Sequence, residues 1–127
     1  MIEAQWTTQE KDIARKAFGA AYERECKAIY QNVREMAVGI NDPASLWRLL
    51  DYLTKIREEI DEKYDYRYSV LLFVFARLIC EGWLTQEDLA GLSEEKLTET
   101  RRIAEFISKV EDKRANSTRN TYFSPLK

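Results

Sequence analysis

The side chains in this sequence that could do chemistry are mostly carboxylates. Four of them crowd one short stretch, at Glu58, Glu59, Asp61 and Glu62. A cluster of this kind could in principle bind a hard cation or transfer protons. Lysines are interspersed with these carboxylates near the end of a predicted helix, and that pattern is typical of a solvated helix face. We therefore expect no catalytic site and no metal site here.

Nucleophilic and metal chemistry lacks its usual residues. The sequence contains no histidine, which excludes Ser–His and Cys–His pairs and the common zinc sites. Cys26 and Cys80 are far apart and each lies within an apolar helical pattern, so we expect buried free thiols in a reducing compartment. The four glycines are too scattered for a phosphate-binding loop. We predict that the protein is not an enzyme and uses neither a cofactor nor a metal.

Recognition chemistry is better represented. On a helix that advances about 100° per residue, Asp51 points opposite the centre of an apolar stripe and Trp47 lies beside it. Leu50 and Arg57 lie on the flank between them and the stripe. An indole beside a carboxylate and a guanidinium, outside the packing stripe, is typical of a partner-binding surface. Trp47 could instead be covered by a second subunit, and Asp51 and Arg57 could pair across a two-fold axis.

The helix that carries these four residues is predicted to begin at Pro43, with Asp42 as its capping residue. Proline suits the first helical position because the amide there has no acceptor within the helix. Apolar residues then recur at intervals of three and four over about six turns. This stripe should pack inward and consists of Leu46, Leu49, Leu53, Ile56, Ile60 and Tyr64.

A longer helix is predicted before it, from about Thr8 to Val38. Thr7 and Glu10 have the spacing of a capping box, and Gly39 with the following turn ends the helix. Its apolar residues recur with nearly heptad spacing. They are Phe18, Tyr22, Cys26, Ile29, Val33, Met36 and Ile40.

The length of this first helix predicts an assembly. If it is continuous it is about 46 Å long at 1.5 Å per residue, whereas a compact globule of 127 residues is only about 36 Å across. The helix would then extend beyond its own subunit, and its stripe would need cover from a second chain. We therefore expect a homodimer. The alternative is a helix broken at Gly19 into two pieces that fold back.

The third helix is predicted from about Arg67 to Glu81. It is apolar on nearly all faces, so it should be the most buried element, and Gly82 ends it. Two capped starts follow, for a short helix from about Gln86 to Ala90 and a longer one from Glu94 to about Lys113.

Residues 115–127 are polar and lack periodicity, so we expect them to be frayed. The predicted fold is all-α, a single domain over residues 1–127 with a long first helix, a helical hairpin and short C-terminal helices, in a dimer.

Charge and hydropathy limit the environment and the partners. The net charge is −2, with 45% hydrophobic and 33% charged residues. A mildly acidic chain argues against nucleic-acid binding, except at the basic C-terminal end. The longest apolar run is too short for a bilayer, which needs about 20 residues. No signal sequence is visible at the N-terminus, so we expect a cytoplasmic protein without membrane insertion.

The stretch from Leu46 to Leu97 resembles the fluorescence recovery protein family of cyanobacteria. The matching pieces are LW followed by LxDxL, then R at Arg57, then EIDxKYDxRYSVLxFVFAxL, EGWL and LSxEKL. The resemblance implies an all-helical homodimer, or a higher oligomer, that is not an enzyme. Family members bind the C-terminal domain of the orange carotenoid protein and accelerate its return from the red to the orange form. They thereby end quenching at the phycobilisome, on the cytosolic face of the thylakoid membrane.

The resemblance also implies roles for individual residues. The family's partner-binding patch corresponds to Trp47, Asp51 and Arg57, and its exposed apolar contact corresponds to Phe73. Position 50 is a histidine in the family pattern but Leu50 here. Leu46 would lie at the dimer interface. The alternative is a divergent helical dimer that serves as adaptor or regulator of a different protein partner.

Overall fold

The computed structural model describes the backbone of residues 5–126 and the side chains of residues 5–114. The fold is all-α, with a long first helix as predicted. The helices are α1 (Thr8–Val38), α2 (Pro43–Lys63), α3 (Leu71–Glu81) and α4 (Glu94–Leu126), with a short 3-10 helix (Gln86–Leu89) before α4.

The first helix is continuous through Gly19, so the alternative of a broken helix is wrong. The predicted capping box forms at its start: the Glu10 backbone N–H donates to Thr7 Oγ1 and the Thr7 backbone N–H donates to Glu10 Oε1. At 31 residues, α1 is about 46 Å long. It therefore extends well past the helices that cover its first half.

We call the covered part of the molecule the head. It comprises the start of α1 (residues 8–21), α3, the 3-10 helix and the first half of α4 (residues 94–107). Its core contains the fully buried side chains of Leu71, Phe75, Leu78 and Leu89, packed on α1. As predicted, α3 is rich in buried residues, because helices cover it on more than one side.

The part of α1 inside the head is buried along a face that the predicted stripe did not contain. Ala14, Ala17 and Ala21 line it, and their small side chains let the 3-10 helix approach closely, with the α3 side chains completing the core. Phe18 is only half-buried at the edge of the core, and Tyr22 is 44% exposed. The heptad-like stripe therefore does not describe the packing of this half of the helix.

We call residues 22–59 of the first hairpin the arm, and the last turn of α2, residues 60–63, the joint between arm and head. Here α1 and α2 run antiparallel: Asn32 Nδ2 donates to Tyr52 Oη at 2.9 Å, and further along α2 Lys63 donates to Glu25, which lies earlier in α1. The Asp42 carboxylate caps α2 by accepting from the Ser45 backbone N–H at 2.8 Å. None of the residues 22–59 is buried. The arm is a two-helix projection without a core of its own.

The third helix begins later than predicted, at Leu71 instead of about Arg67. The preceding segment is not helical because its alternate tyrosines pack on the start of α1. Ring centroids of Tyr64 and Tyr66 lie 5.3 Å and 4.8 Å from that of Phe18, and the Tyr68 ring lies 5.2 Å from that of Trp6. An extended chain puts every second side chain on one side, which a helix would not.

The C-terminal helix is longer than predicted. The backbone of α4 is helical to Leu126, beyond the expected end near Lys113. The frayed tail expected at residues 115–127 stays a prediction, because only the backbone is described there, as far as Leu126. Among residues 5–126, no helix combines the length and apolar composition needed to cross a bilayer.

A buried polar network joins the starts of α1 and α4. Lys96 Nζ donates to Glu10 Oε1 at 3.2 Å and to the Gln5 carbonyl at 2.5 Å. The Ser93 backbone N–H donates to Glu10 Oε2 at 2.9 Å. Burial raises the pKa of Glu10, but the hydrogen bonds from the Thr7 and Ser93 backbone N–H groups and the Lys96 ammonium outweigh it and hold the pKa below its ordinary value. The carboxylate thus stays ionised and paired inside the head.

Candidate partner-binding surface

Four of the five predicted partner-binding residues lie together on α2. We call Trp47, Leu50, Asp51 and Arg57 the α2 face. Trp47 is 57% and Leu50 is 52% exposed, and Asp51 and Arg57 are also exposed. The four side chains extend over about 15 Å of helix. The sequence therefore placed this face correctly on the outside of the subunit.

The charged residues of the α2 face are available for a partner. Arg57 Nε lies 3.3 Å from Asp61 Oδ2, but the two side chains are 80% and 64% exposed, so this pair adds little stability. Asp51 forms no ion pair with any other side chain of residues 5–114. A partner could pair with both charges at a small cost in folding stability, since neither side chain contributes much to the stability of the subunit.

The apolar stripe of α2 is wider than the surface that α1 covers. Leu49 and Ile56 are half-buried, whereas Leu46 is 43% and Leu53 is 38% exposed. The exposed edge of the stripe adjoins the α2 face at Leu50. Apolar and charged side chains thus form one continuous exposed surface along the arm.

The fifth predicted residue lies on another element. Phe73 is on α3 and is 51% exposed. It lines a groove of about 310 Å³ that the last turn of α2 borders through Glu62 and Lys63. This groove begins about 8 Å further along α2 than Arg57. The structure thus separates Phe73 from the α2 face and places it across the joint between arm and head.

The charged residues at this joint were not predicted from the sequence. Lys63 looked like one lysine among solvated carboxylates, yet it is only 7% exposed. Its ammonium lies between Glu25 of α1 and Glu81 of α3. One feature of the sequence could have indicated this burial. Lys63 follows Ile56 by seven residues, or about two helical turns, and therefore lies on the side of α2 that faces α1.

A second polar contact ties the arm to the head. Arg24 Nη1 donates to Asp88 Oδ2 and to the Trp83 carbonyl, both at 2.9 Å. The Arg24 guanidinium lowers the pKa of Asp88 to about 2, with help from the Thr85 backbone N–H and hydroxyl. Asp88 thereby caps the 3-10 helix and holds α1 at once.

The comparison with known proteins decides the family. The model of the photoprotection regulator fluorescence recovery protein matches residues 6–114. The chain belongs to this family. It is 39% identical over 102 residues to the fluorescence recovery protein of Synechocystis sp. PCC 6803, which is 80% of this chain and 94% of that protein.

Solved structures of the family have the same fold. The fluorescence recovery protein of Fremyella diplosiphon is 48% identical, with a TM-score of 0.76 over 80% of this chain and 99% of that one. The Synechocystis protein is 38% identical, with the same TM-score and the same coverage. The chain is thus a regulator of photoprotection of a non-enzymatic family. The prediction that it is not an enzyme is confirmed.

Proposed function

We propose that this protein binds the C-terminal domain of the orange carotenoid protein through the α2 face and accelerates its reversion from red to orange. The main support is that Trp47, Leu50, Asp51 and Arg57 are exposed together on the arm. Membership of the family supplies the partner. No covalent step is involved, so the whole effect comes from binding.

A binding protein accelerates a conformational change only if it holds the transition state more tightly than the starting form. Trp47 is the anchor, because a large rigid indole loses little conformational entropy and contributes most when a partner covers it. Asp51 and Arg57 fix the orientation of the partner through opposite charges.

Leu50 changes the chemistry of this surface. Its side chain connects the apolar edge formed by Leu46 and Leu53 to Trp47. At this position the family pattern has a histidine, whose ring can form hydrogen bonds. We propose that the partner of this protein meets position 50 with an apolar side chain. Leu50→His should then weaken binding of the natural partner, although it restores the family residue.

Dark recovery of photoactivated orange carotenoid protein, timed with and without this protein, tests the activity. Trp47→Ala should weaken binding by about thirtyfold or more, the effect of losing a central anchor. Phe106→Ala is the matched control, since it removes another aromatic side chain, 66% exposed, from α4. An unchanged recovery time with the wild-type protein would refute the proposal.

We also propose that the protein is a homodimer, or a higher oligomer, whose subunits meet through the arm, with Leu46 at the interface. Support comes from the arm itself, because residues 22–59 include none that is buried and a lone two-helix projection is poorly stabilised. Leu46→Asp should lower the native mass. Val38→Asp is the control, since Val38 is 87% exposed at the end of α1 and should leave the mass unchanged.

The site of action follows from the partner. We propose that the protein works in the cytoplasm at phycobilisomes, where the activated carotenoid protein quenches. Fractionation of cells before and after strong light would test it, since the share of the protein that sediments with phycobilisomes should rise after strong light.

A further inference from the structure

One lysine connects three helices at the joint between arm and head. Lys63 is the last residue of α2, Glu25 is on α1 near the start of the arm, and Glu81 is the last residue of α3. Lys63 Nζ donates to Glu25 Oε2 at 2.7 Å and to Glu81 Oε1 at 2.6 Å. Both distances are those of charge-assisted hydrogen bonds.

The surrounding side chains complete the hydrogen bonding of this cluster. Tyr64 Oη donates to Glu25 Oε1 at 2.8 Å, and Arg77 Nε donates to Glu81 Oε2 at 3.2 Å. The four charged side chains balance, two positive against two negative. Burial, then the hydrogen bond to Glu25, raises the pKa of Tyr64, so its hydroxyl stays protonated as the donor.

The cluster is too buried to be an ordinary surface pair. The side chains of Lys63 and Glu25 are 6% and 13% exposed. Burying such charges costs free energy that a well-packed apolar group would avoid, and the usual return is one specific arrangement of the elements. The arrangement fixed here is the direction in which α2 leaves the head.

Apolar contacts hold α2 to α1 beside Lys63. Ile60 is buried, and the Tyr64 ring packs on Phe18 and Tyr22 of α1. These contacts do not join α2 to α3, and no residue between positions 22 and 59 is buried. The second tie, from Arg24 to Asp88, holds α1 to the 3-10 helix but does not reach α2 or α3. Among residues 5–114, the ion pair of Lys63 with Glu81 joins the helix of the α2 face to the helix of Phe73.

We propose that Lys63 is a positioning residue that holds the α2 face and Phe73 in one fixed relation, so that a partner meets them as a single surface. This inference rests on the function proposed above. Lys63 also lines the groove beside Phe73, which places the joint within the proposed surface. The lysine acts through orientation and touches neither Trp47 nor Asp51.

The proposal can be tested by measuring the orientation of the arm directly. Spin labels at positions 44 and 95, which are exposed on the arm and on the head, report one distance per chain. Cys26 and Cys80 are replaced by alanine in every variant. Labelled chains are diluted into an excess of unlabelled protein, so that distances between subunits do not contribute.

Two variants loosen the joint to different degrees. Lys63→Met removes the ammonium at nearly constant volume. Glu25→Gln removes one charge, while its amide oxygen can still accept from Lys63 and its amide N–H can donate to Tyr64 Oη. Lys96→Met is the matched control, because Lys96 and Glu10 are an equally buried pair, both 7% exposed, that lies inside the head. All three should lower the melting temperature.

The distance distribution should broaden in Lys63→Met, broaden less in Glu25→Gln and keep the wild-type width in Lys96→Met. If about one tenth of the molecules keep the competent angle, the half-saturating concentration in the recovery assay rises about tenfold while the saturating rate is unchanged. Loss of a direct contact such as Trp47 should lower the saturating rate as well.

A distance distribution as narrow as that of the wild type in both Lys63→Met and Glu25→Gln would overturn the proposal. Equal broadening of the distribution in Lys96→Met would overturn it too, because it would indicate general loosening of the fold. Should Lys63→Met fail to fold, the milder Glu25→Gln decides alone. Broadening in a protein that does not accelerate recovery would support the joint and refute the proposed function, so the two failures are distinguishable.

Discussion

The head and the arm use the same kind of helix for different purposes. In the head, α1 presents alanines and is covered by α3 and α4, with Leu71, Phe75 and Leu78 fully buried. In the arm, the same helix presents larger apolar side chains, and none of the residues 22–59 is buried. The head is stabilised by its own packing, whereas the arm exposes what a partner or a second subunit would cover.

The different packing of head and arm determines which substitutions can change partner recognition without loss of stability. A substitution in the head disturbs close packing and therefore stability. A substitution on the exposed side of α2 changes mainly what the surface binds. Leu50 lies on this exposed side of the arm, so a different side chain at position 50 would leave the fold intact.

Leu71→Ala should lower the free energy of unfolding by about 2–5 kcal/mol, because it leaves a cavity in the apolar core. Leu71 is 0% exposed. Urea unfolding followed by circular dichroism measures the loss. Leu72→Ala is the matched control. Leu72 is only partly buried, so its truncation should cost less stability. Equal losses would contradict the packing described for the head.

Leu53→Ala should cost only about 1 kcal/mol at low protein concentration, because Leu53 is 38% exposed within the subunit. If a second subunit covers the arm, wild-type stability rises with protein concentration. Leu53→Ala should reduce that rise, whereas Leu71→Ala should leave it unchanged. Unfolding at two concentrations separates the effects, and a wild-type stability independent of concentration would argue against assembly through the arm.

Lowering the pH should weaken the tie between Arg24 and Asp88. The pKa of Asp88 is about 2 in the folded protein against 3.8 ordinarily. The tie is therefore fully present above pH 3.8 and is lost as the pH falls towards 2. Because Arg24 is 46% exposed, we expect about 1 kcal/mol after solvent screening.

The measurement is the difference in unfolding free energy between wild type and Asp88→Asn, which should shrink as the pH falls from 5 to 2. Asp61→Asn is the control, because Asp61 pairs with Arg57 on the exposed side of α2 and should have little effect. A constant difference for Asp88→Asn would show that the tie contributes nothing that depends on its charge.

Helix starts could be predicted from the sequence because capping is local. The box of Thr7 and Glu10, and Asp42 before Pro43, place the starts of α1 and α2 where the structure has them. The exposed position of Trp47 also followed from the period of the stripe. These predictions needed only residues within one or two turns.

Contacts between distant residues could not be predicted in the same way. The late start of α3 depends on tyrosines that pack against Phe18, although their spacing of two residues in KYDYRYS was a signal for an extended segment. The burial of Lys63 depends on Glu25 and Glu81, which only the tertiary structure brings together. Charge in sequence says little about burial when the partners are far away.

Gly19→Ala should stabilise the protein by about 0.5–1 kcal/mol, because alanine favours a helix interior more than glycine does. A Cβ atom at position 19 would meet nothing within 4 Å. Thermal unfolding measures the gain. Gly91→Ala is the opposite control: its φ of +106° disfavours alanine, and the added Cβ would collide with the Ile13 side chain. It should destabilise the head.

The sign of the Gly19 effect bears on the boundary between the two regions, since residue 19 lies just before the arm begins. If the space beside it is solvent, only helix propensity changes and the protein gains stability. If Gly19→Ala lowers stability instead, and more so at high protein concentration, then a second subunit occupies that space. The covered interface would in that case extend past the arm and reach the edge of the head.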